Sequence, residues 1–247
     1  MESLLDKAKS FLNSGLGLLY PEWCQLCDAA RATASESLIC AHCRADVRFI
    51  EPPFCSRCGL PFEGAFTQPF ECANCLTSEW EFEFARSAVI ARDKMREVIH
   101  RYKYQRALWF EPFLAELLIR KAQPELQQGH WDWIVPVPLH PTKQREREFN
   151  QAERLGQRLS EATEVRLNKK LLRRTIATQS QTRLTREERL ANVRKAFAFI
   201  GNQTLQGERI VLVDDVFTTG ATTGACARVL RAAGAGAVCV WTVARGV

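Results

Sequence analysis

The sequence predicts an α/β fold with a parallel sheet, preceded by a small module held together by metal, and three observations carry that prediction. Past residue 80, apolar strand-like runs alternate with helical stretches, the pattern of strands joined by crossover helices. Before residue 80, eight of the ten cysteines fall into four CxxC pairs. Residues 210–223, IVLVDDVFTTGATT, then set two carboxylates and a Thr/Gly turn between an apolar strand and an Ala-rich helix. At 247 residues the chain has room for one medium domain and one small one. Division at 1–20 (a helix), 21–80 (a double zinc ribbon) and 81–247 (the α/β domain) is expected.

Residues 2–19 read as a short amphipathic helix with Leu4, Leu5, Ala8, Phe11 and Leu12 on its apolar side. Asp6 and the lack of a clean apolar stretch argue against a secretory signal. No run approaches the ~18 apolar residues that span a bilayer. A cytoplasmic protein without a transmembrane segment is therefore expected.

Each CxxC pair can turn a knuckle that aims two thiolates at one ion, and two knuckles complete a tetrahedral zinc site. The gaps between pairs are 12 residues (28–39) and 13 residues (59–71). Such near-equal gaps suggest a duplicated ribbon, with one zinc held by Cys24, Cys27, Cys40 and Cys43 and another by Cys55, Cys58, Cys72 and Cys75; interleaved pairing is the alternative. Disulfides suit a secreted chain and iron–sulfur spacings are less regular, so both rank below zinc. About sixty residues with weak periodicity need such staples, so the metal mostly folds the module. His42 is expected to be a solvated or outer residue, and Cys226 and Cys239 to be core.

In the α/β domain, residues 82–91 read as a strand, 93–102 and 108–121 as helices, and 133–139 (WIVPVPL) as a buried strand stopped by prolines. A rigid turn at Val137, Pro138, Leu139 and His140 with exposed amides suits a pyrophosphate, with His140, Lys143, Arg145 and Arg147 as cations; a plain strand exit competes. A helix over 150–162 follows. Residues 171–189 are polar and rich in Arg and Thr, the composition of a loop or hairpin that closes over an anion through Arg173, Arg174 and Arg183, or of a solvated linker. Strands over 193–200 and 237–244 flank the 210–223 run.

That run is the most informative. Four apolar residues without polar gaps indicate a strand buried on both faces. Asp214 and Asp215 are read as its end, where open α/β sheets place ligands. Carboxylates there accept hydrogen bonds from ribose hydroxyls or hold a divalent ion. Thr218, Thr219, Gly220, Ala221 and Thr222 lead into a helix whose first amides lack internal partners, and amides and helix dipole together favour a phosphate. An ordinary βα turn with a Thr cap is the competing reading. No GxxxxGK[ST] occurs, which argues against a P-loop NTPase.

Net charge divides unevenly: −4 over residues 1–80 and +10 over 81–247. Residues 166–195 carry ten basic and two acidic side chains, and 92–106 interleave Lys and Arg with Tyr102 and Tyr104. Arg101, Lys103, Tyr104, Arg145 and Arg147 are thus candidates for single-stranded nucleic acid, whose bases stack on aromatics. Service to a polyphosphate ligand, or a solvated helix face, would explain the same charges.

Residues 214–222 resemble the phosphoribosyl-pyrophosphate (PRPP) loop of type I phosphoribosyltransferases. The order RYKY (101–104), PVPLH (136–140), RxRxFNQ (145–151), RRT-x5-QTRL (173–184), ER-x2-NV-x3-F (188–197) and VDDVFTTGATT behind a Cys-rich module is similar to the ComF family, which includes GntX-like proteins. The resemblance implies a double zinc ribbon on a type I phosphoribosyltransferase fold. PRPP would bind with Mg²⁺, its ribose on Asp214 and Asp215, its 5′-phosphate on 218–222 and its pyrophosphate on 137–140. It also implies handling of single-stranded DNA during natural competence; a helicase or the DNA-uptake machinery is the candidate partner for the zinc ribbons. Active transfer to an unknown acceptor, a purely structural adaptor and a gluconate-linked role are the alternatives. Glu148 departs from the family's RGFNQ, where many relatives carry Gly.

Overall fold

The computed structural model describes residues 22–64, 68–176 and 195–246. The expected helix over 2–19, Arg183 and most of the 171–189 segment lie outside them. Short helices α1 (Ala41–Ala45) and α2 (Ala73–Leu76) each open on a zinc-ribbon cysteine, Cys40 and Cys72. Then come β1 (Phe84–Ile90), α3 (Asp93–Tyr104), α4 (Glu111–Gly129), β2 (Trp133–Pro136), α5 (Pro141–Arg147), α6 (Gln151–Thr163), β3 (Arg166–Leu167), β4 (Leu172–Arg174), β5 (Phe197–Phe199), β6 (Arg209–Phe217), α7 (Ala221–Ala232) and β7 (Ala237–Arg245).

Five strands form one parallel sheet in the order β1-β7-β6-β2-β3, and β4 pairs with β5 in a separate antiparallel ribbon. Strand alternation builds the two cores. On β6 and β7, Val211, Val213, Cys239, Trp241 and Val243 face α3, α4, α6 and the first ribbon. Ile210, Leu212, Val238 and Val240 face α7, the β4–β5 ribbon and the second zinc ribbon. The four-cysteine groups thus belong to opposite layers. Cys226 and Cys239 are buried core residues, as expected.

Several bounds differ from the sequence reading. Strand β6 does not stop at the aspartates but runs on to Phe217, because β7 continues beside it to Arg245. Helix α4 passes Lys121 and reaches Gly129, since Ala122 and Leu126 keep its apolar face buried while Pro124 looks to solvent. Strand β2 ends at Pro136, and α5, unforeseen, begins at Pro141 under a His140 cap. Of the expected 193–200 strand, the described residues hold β5, which pairs antiparallel with β4.

Glu148 ends α5 in the left-handed region at φ 67°. A side chain there costs roughly 1 kcal/mol relative to glycine. Its ion pair with Arg106 is exposed on both sides and offsets little of that. Glu148→Gly is therefore expected to raise the thermal midpoint by a few degrees; an unchanged or lower midpoint in calorimetry would count against strain at this position.

Candidate functional site

Strand alternation separates the two aspartates. Asp215 points to the α3 layer, where its Oδ1 lies 2.9 Å from Nζ of Lys103. Both side chains are largely removed from solvent, at 5% and 19% exposure, so the pair is internal rather than a surface bridge. The neighbouring carboxylates raise the Lys103 ammonium above its usual range, against the pull of burial. Asp215 Oδ2 is buried without a hydrogen-bond partner. Asp214 points to the α7 layer and is half-buried, and its Oδ1 accepts the Asp215 amide at 2.9 Å. Burial first, and the Asp215 charge second, push its carboxyl up to about 7.

Beyond the aspartates, Gly220 caps α7 at φ 77°, a conformation side chains resist. A Cβ on it would also stand 2.7 Å from the Phe217 ring and 2.9 Å from Trp80. The Thr219 hydroxyl accepts the Ala221 amide at 3.4 Å, and the Thr223 hydroxyl donates to the Gly220 carbonyl at 3.2 Å. Thr218 is exposed, and Thr219 and Thr222 are partly so. The turn, its hydroxyls and the α7 N-terminus thus open beside Asp214.

The opposite wall comes from β2 and α5. Asn150 caps α6 by accepting the Ala152 amide at 3.0 Å, and its side-chain amide donates to the Val137 carbonyl at 3.1 Å, which fixes the strand exit. Val137 gives its own amide to Val213 at 2.9 Å, and Pro138 has none. The turn therefore has fewer amides to offer than the sequence suggested: those of Leu139 and His140. The His140 ring is engaged with Thr142 through Nδ1, at 2.9 Å to the hydroxyl. Cations compensate. Lys143 is held below its ordinary range by burial, then by the Arg174 and Arg147 charges. Arg174 in turn feels Asp214. Lys143, Arg147 and Arg174 thus supply a ring of cations on the Asp214 side of β6, while Lys103 stands behind it against Asp215, a field suited to several negative charges.

The basic residues separate into distinct roles. Arg101 donates to the Gln25 carbonyl and, at 3.0 Å, to its side-chain oxygen, joining α3 to the first ribbon. Lys103 faces inward to Asp215. Tyr104 is 59% exposed, with Arg147 over its ring at 4.7 Å to the centroid and His100 beside it at 4.9 Å. Arg145 is exposed and Arg173, on β4, is exposed too. Lys143, expected from the sequence as a pyrophosphate cation, lies near the site; Arg245, the last residue of β7, also lies beside it and sequence reasoning missed it.

The eight ribbon thiols form the two groups expected, Cys24, Cys27, Cys40, Cys43 and Cys55, Cys58, Cys72, Cys75, with all sulfurs of a group within 4.8 Å of one another. Cys27–Cys40 and Cys58–Cys72 sulfur separations are 3.8 and 3.7 Å. Zn–S bonds of about 2.3 Å in a tetrahedron give edges of about that length. The Cys24 sulfur accepts the Cys40 amide at 3.4 Å, and the Cys55 sulfur accepts the Cys72 amide at 3.3 Å. Burial works against ionisation of Cys24, but backbone amides of Cys40, Leu26 and Cys27 bring its thiol down to about 6. Donor set and spacing both fit zinc. His42 is exposed beside Asp46, as a solvated residue.

Residues 15–76 match the double zinc ribbon domain family. Competence protein F of Haemophilus influenzae is 30% identical over 222 residues, covering 83% of this chain and 96% of that protein. DNA utilization protein YhgH of Escherichia coli is 31% identical over 231 residues, covering 92% and 99%. Competence protein ComFC of Bacillus subtilis is 27% identical over 206 residues, covering 78% and 77%. Among solved structures, a purine phosphoribosyltransferase from Pyrococcus horikoshii aligns with a TM-score of 0.35 at 16% identity, over 54% of this chain and 83% of that one. No helix among the described residues is long and apolar enough to cross a membrane.

Proposed function

This chain belongs to the family of competence protein F and ComFC, and from that premise we propose that it handles single-stranded DNA in competence or DNA utilisation and binds PRPP at the carboxyl end of β6. One observation carries the PRPP reading: a half-buried carboxylate and a glycine-capped helix N-terminus open into the same ring of cations. Asp214 accepts from the ribose hydroxyls. Residues 218–222 take the 5′-phosphate through amides and hydroxyls. Lys143, Arg147 and Arg174, with the Leu139 and His140 amides, receive the pyrophosphate, which would carry Mg²⁺. Asp215 positions rather than contacts, because Lys103 already holds it.

The DNA reading is supported by the family's names and by Tyr104, whose exposed ring and attendant Arg147 suit a stacked base next to a phosphate. Arg101 and Lys103 do not join that surface. A transferase reading is favoured by the cation ring alone. There the C1–O bond to pyrophosphate breaks, an acceptor nitrogen bonds to C1, and the cations take the charge leaving with pyrophosphate. The zinc ribbons would serve as structural and docking elements.

Calorimetry of the zinc-loaded protein with PRPP and Mg²⁺, with and without a labelled single strand, tests both parts. One PRPP per chain is expected. Single-strand binding at low salt, falling steeply as salt rises and weakened several-fold in Tyr104→Ala, is expected as well. Undetectable PRPP binding would remove the ligand assignment, and salt-independent DNA binding would remove the electrostatic one. Pyrophosphate release with a nucleobase or amine would add turnover to binding.

A further inference from the structure

We infer that the second zinc ribbon is a working part of the 217–221 turn: Arg245 and Trp80 brace that turn against the Cys58 thiolate, so that the metal site and the anion site stabilise one another. The anion half of this statement rests on the phosphate reading above; the brace itself stands on geometry.

A turn that binds phosphate through its backbone must point amides at the ligand and carbonyls away from it. In a trans peptide the two point in opposite directions. Arg245 enforces that orientation from behind. The two N–H groups of its Nη1 are shared among three carbonyls, Phe217 at 3.1 Å, Thr218 at 2.6 Å and Gly246 at 2.6 Å. The Phe217 carbonyl, which also accepts the Gly246 amide at 2.8 Å, and the Thr218 carbonyl are thereby gathered on the guanidinium side, which turns the amides of Thr218 and Thr219 the other way. Arg245 is only 6% exposed and lies over the Phe217 ring at 4.8 Å, so its position is fixed by packing.

The same guanidinium reaches the ribbon. Its Nη2 donates to Sγ of Cys58 at 3.8 Å. A thiolate on zinc is a charged acceptor, so this contact is charge-assisted when metal is bound. A second strut comes from Trp80, five residues beyond the last ligand, Cys75. Its ring stacks on Phe82 at 5.1 Å and fills the space beside Gly220 and Gly224, where a Cβ would approach to 2.9 and 2.7 Å. Its carbonyl accepts from Arg57, which sits between ligands Cys55 and Cys58, at 2.8 Å. Arg57 O accepts the Ala85 amide at 2.7 Å, locking the knuckle to the edge strand β1. The first ribbon has its own cation on a ligand sulfur, Lys94 Nζ to Cys43 Sγ at 3.5 Å, but among the described residues its seam runs to α3 and α4, through Arg101, Lys94 and Arg44, and not to the turn.

Coupling of this kind is reciprocal. Metal at the second site should order the turn, and a ligand on the turn should retain the metal. Hydrogen exchange over the 217–221 segment, zinc content and PRPP calorimetry are to be measured on the full chain, on Arg245→Met and on Arg44→Met as a control at the other ribbon. Arg245→Met is expected to keep two zinc ions, exchange this segment at least tenfold faster and bind PRPP at least tenfold more weakly; Arg44→Met should change neither. PRPP with Mg²⁺ is expected to slow chelator removal of one of the two zinc ions, and to lose that effect in Arg245→Met. Unchanged exchange over 217–221 in Arg245→Met overturns the brace. Faster exchange in a protein that binds no PRPP upholds the brace and overturns the phosphate reading. Should Arg245→Met lose zinc or fail to fold, Trp80→Leu replaces it, with the same expectation for exchange.

Discussion

Asp214→Ala combined with Asp215→Ala is expected to abolish PRPP binding, lowering affinity by a thousandfold or more, while far-ultraviolet circular dichroism and zinc content at room temperature stay unchanged, although leaving Lys103 unpaired lowers the thermal midpoint. Asp214→Asn alone should remove most of that affinity, because an amide cannot accept from two vicinal hydroxyls as a carboxylate does and hydrogen bonds to a charged acceptor are each worth about 1.5–3 kcal/mol. The same substitution should remove a pH dependence. With the Asp214 carboxyl pushed up to about 7, chiefly by burial and then by Asp215, the accepting form is only partly populated below neutrality. Affinity should therefore rise with pH from 6 to 8 in the natural protein. In Asp214→Asn, any residual affinity should not show that rise. Stability moves the opposite way. A carboxyl whose folded-state value is raised above 3.8 binds its proton more tightly when folded, so its contribution is greatest below about pH 4 and is lost as pH rises through about 7. At pH 8, Asp214→Asn is accordingly expected to be more stable than the natural chain, by an amount on the order of 2 kcal/mol. A gain in stability coupled to a loss of binding is the mark of a residue kept for its ligand. Retained affinity in the double variant, measured by calorimetry, would refute the ribose assignment.

The sequence disclosed the parts whose chemistry is local. Four CxxC pairs with near-equal gaps gave the ribbons and their pairing, because a knuckle is set by residues within one turn of each other. The strand, the glycine at the turn and the α7 helix were legible for the same reason. What stayed hidden depends on contacts distant in the chain. DD reads as a unit in one dimension, whereas the strand sends Asp214 and Asp215 to opposite layers because β7 extends β6 past them. RYKY reads as a basic surface with aromatics, yet Lys103 turns inward, and only the packing of α3 against β6 shows that. PVPLH promised a row of amides, but Val213 takes one and proline removes another. Arg245 is 187 residues from Cys58 in the chain, a separation at which no spacing rule operates. Glu148 is the converse case: the one departure from the family's glycine falls where the backbone is left-handed, so the motif had encoded a conformation.

Lys103→Met should be the most destabilising single change at the site. Lys103 is the cation that holds the buried Asp215 carboxylate, whose second oxygen has no hydrogen-bond partner. Methionine fills the same channel with similar volume but leaves the negative charge unmatched, with the Asp214 carboxyl beside it. Removing one partner of a buried pair typically costs about 3–5 kcal/mol. For a domain of this size that lowers the thermal midpoint by roughly 10 °C. The pair's own pH dependence has a defined sign. Lys103 is raised above 10.5, so the stability it supplies is fully present below that value and disappears only in strong alkali. The loss in Lys103→Met should therefore be complete at neutral pH and should shrink in mild acid, where the raised Asp214 carboxyl beside the pair takes up its proton. A double variant, Lys103→Met with Asp215→Asn, isolates the cause. It removes both charges and should recover most of the midpoint, since a buried ion pair replaced on both sides is often close to neutral in stability. If the double variant is no more stable than Lys103→Met, the lysine acts through packing alone, and Asp215 is not the group it serves. If recovery is found but PRPP affinity remains low, then the Lys103–Asp215 ion pair, though shielded from the ligand, is what holds this stretch of β6, and with it Asp214, in position.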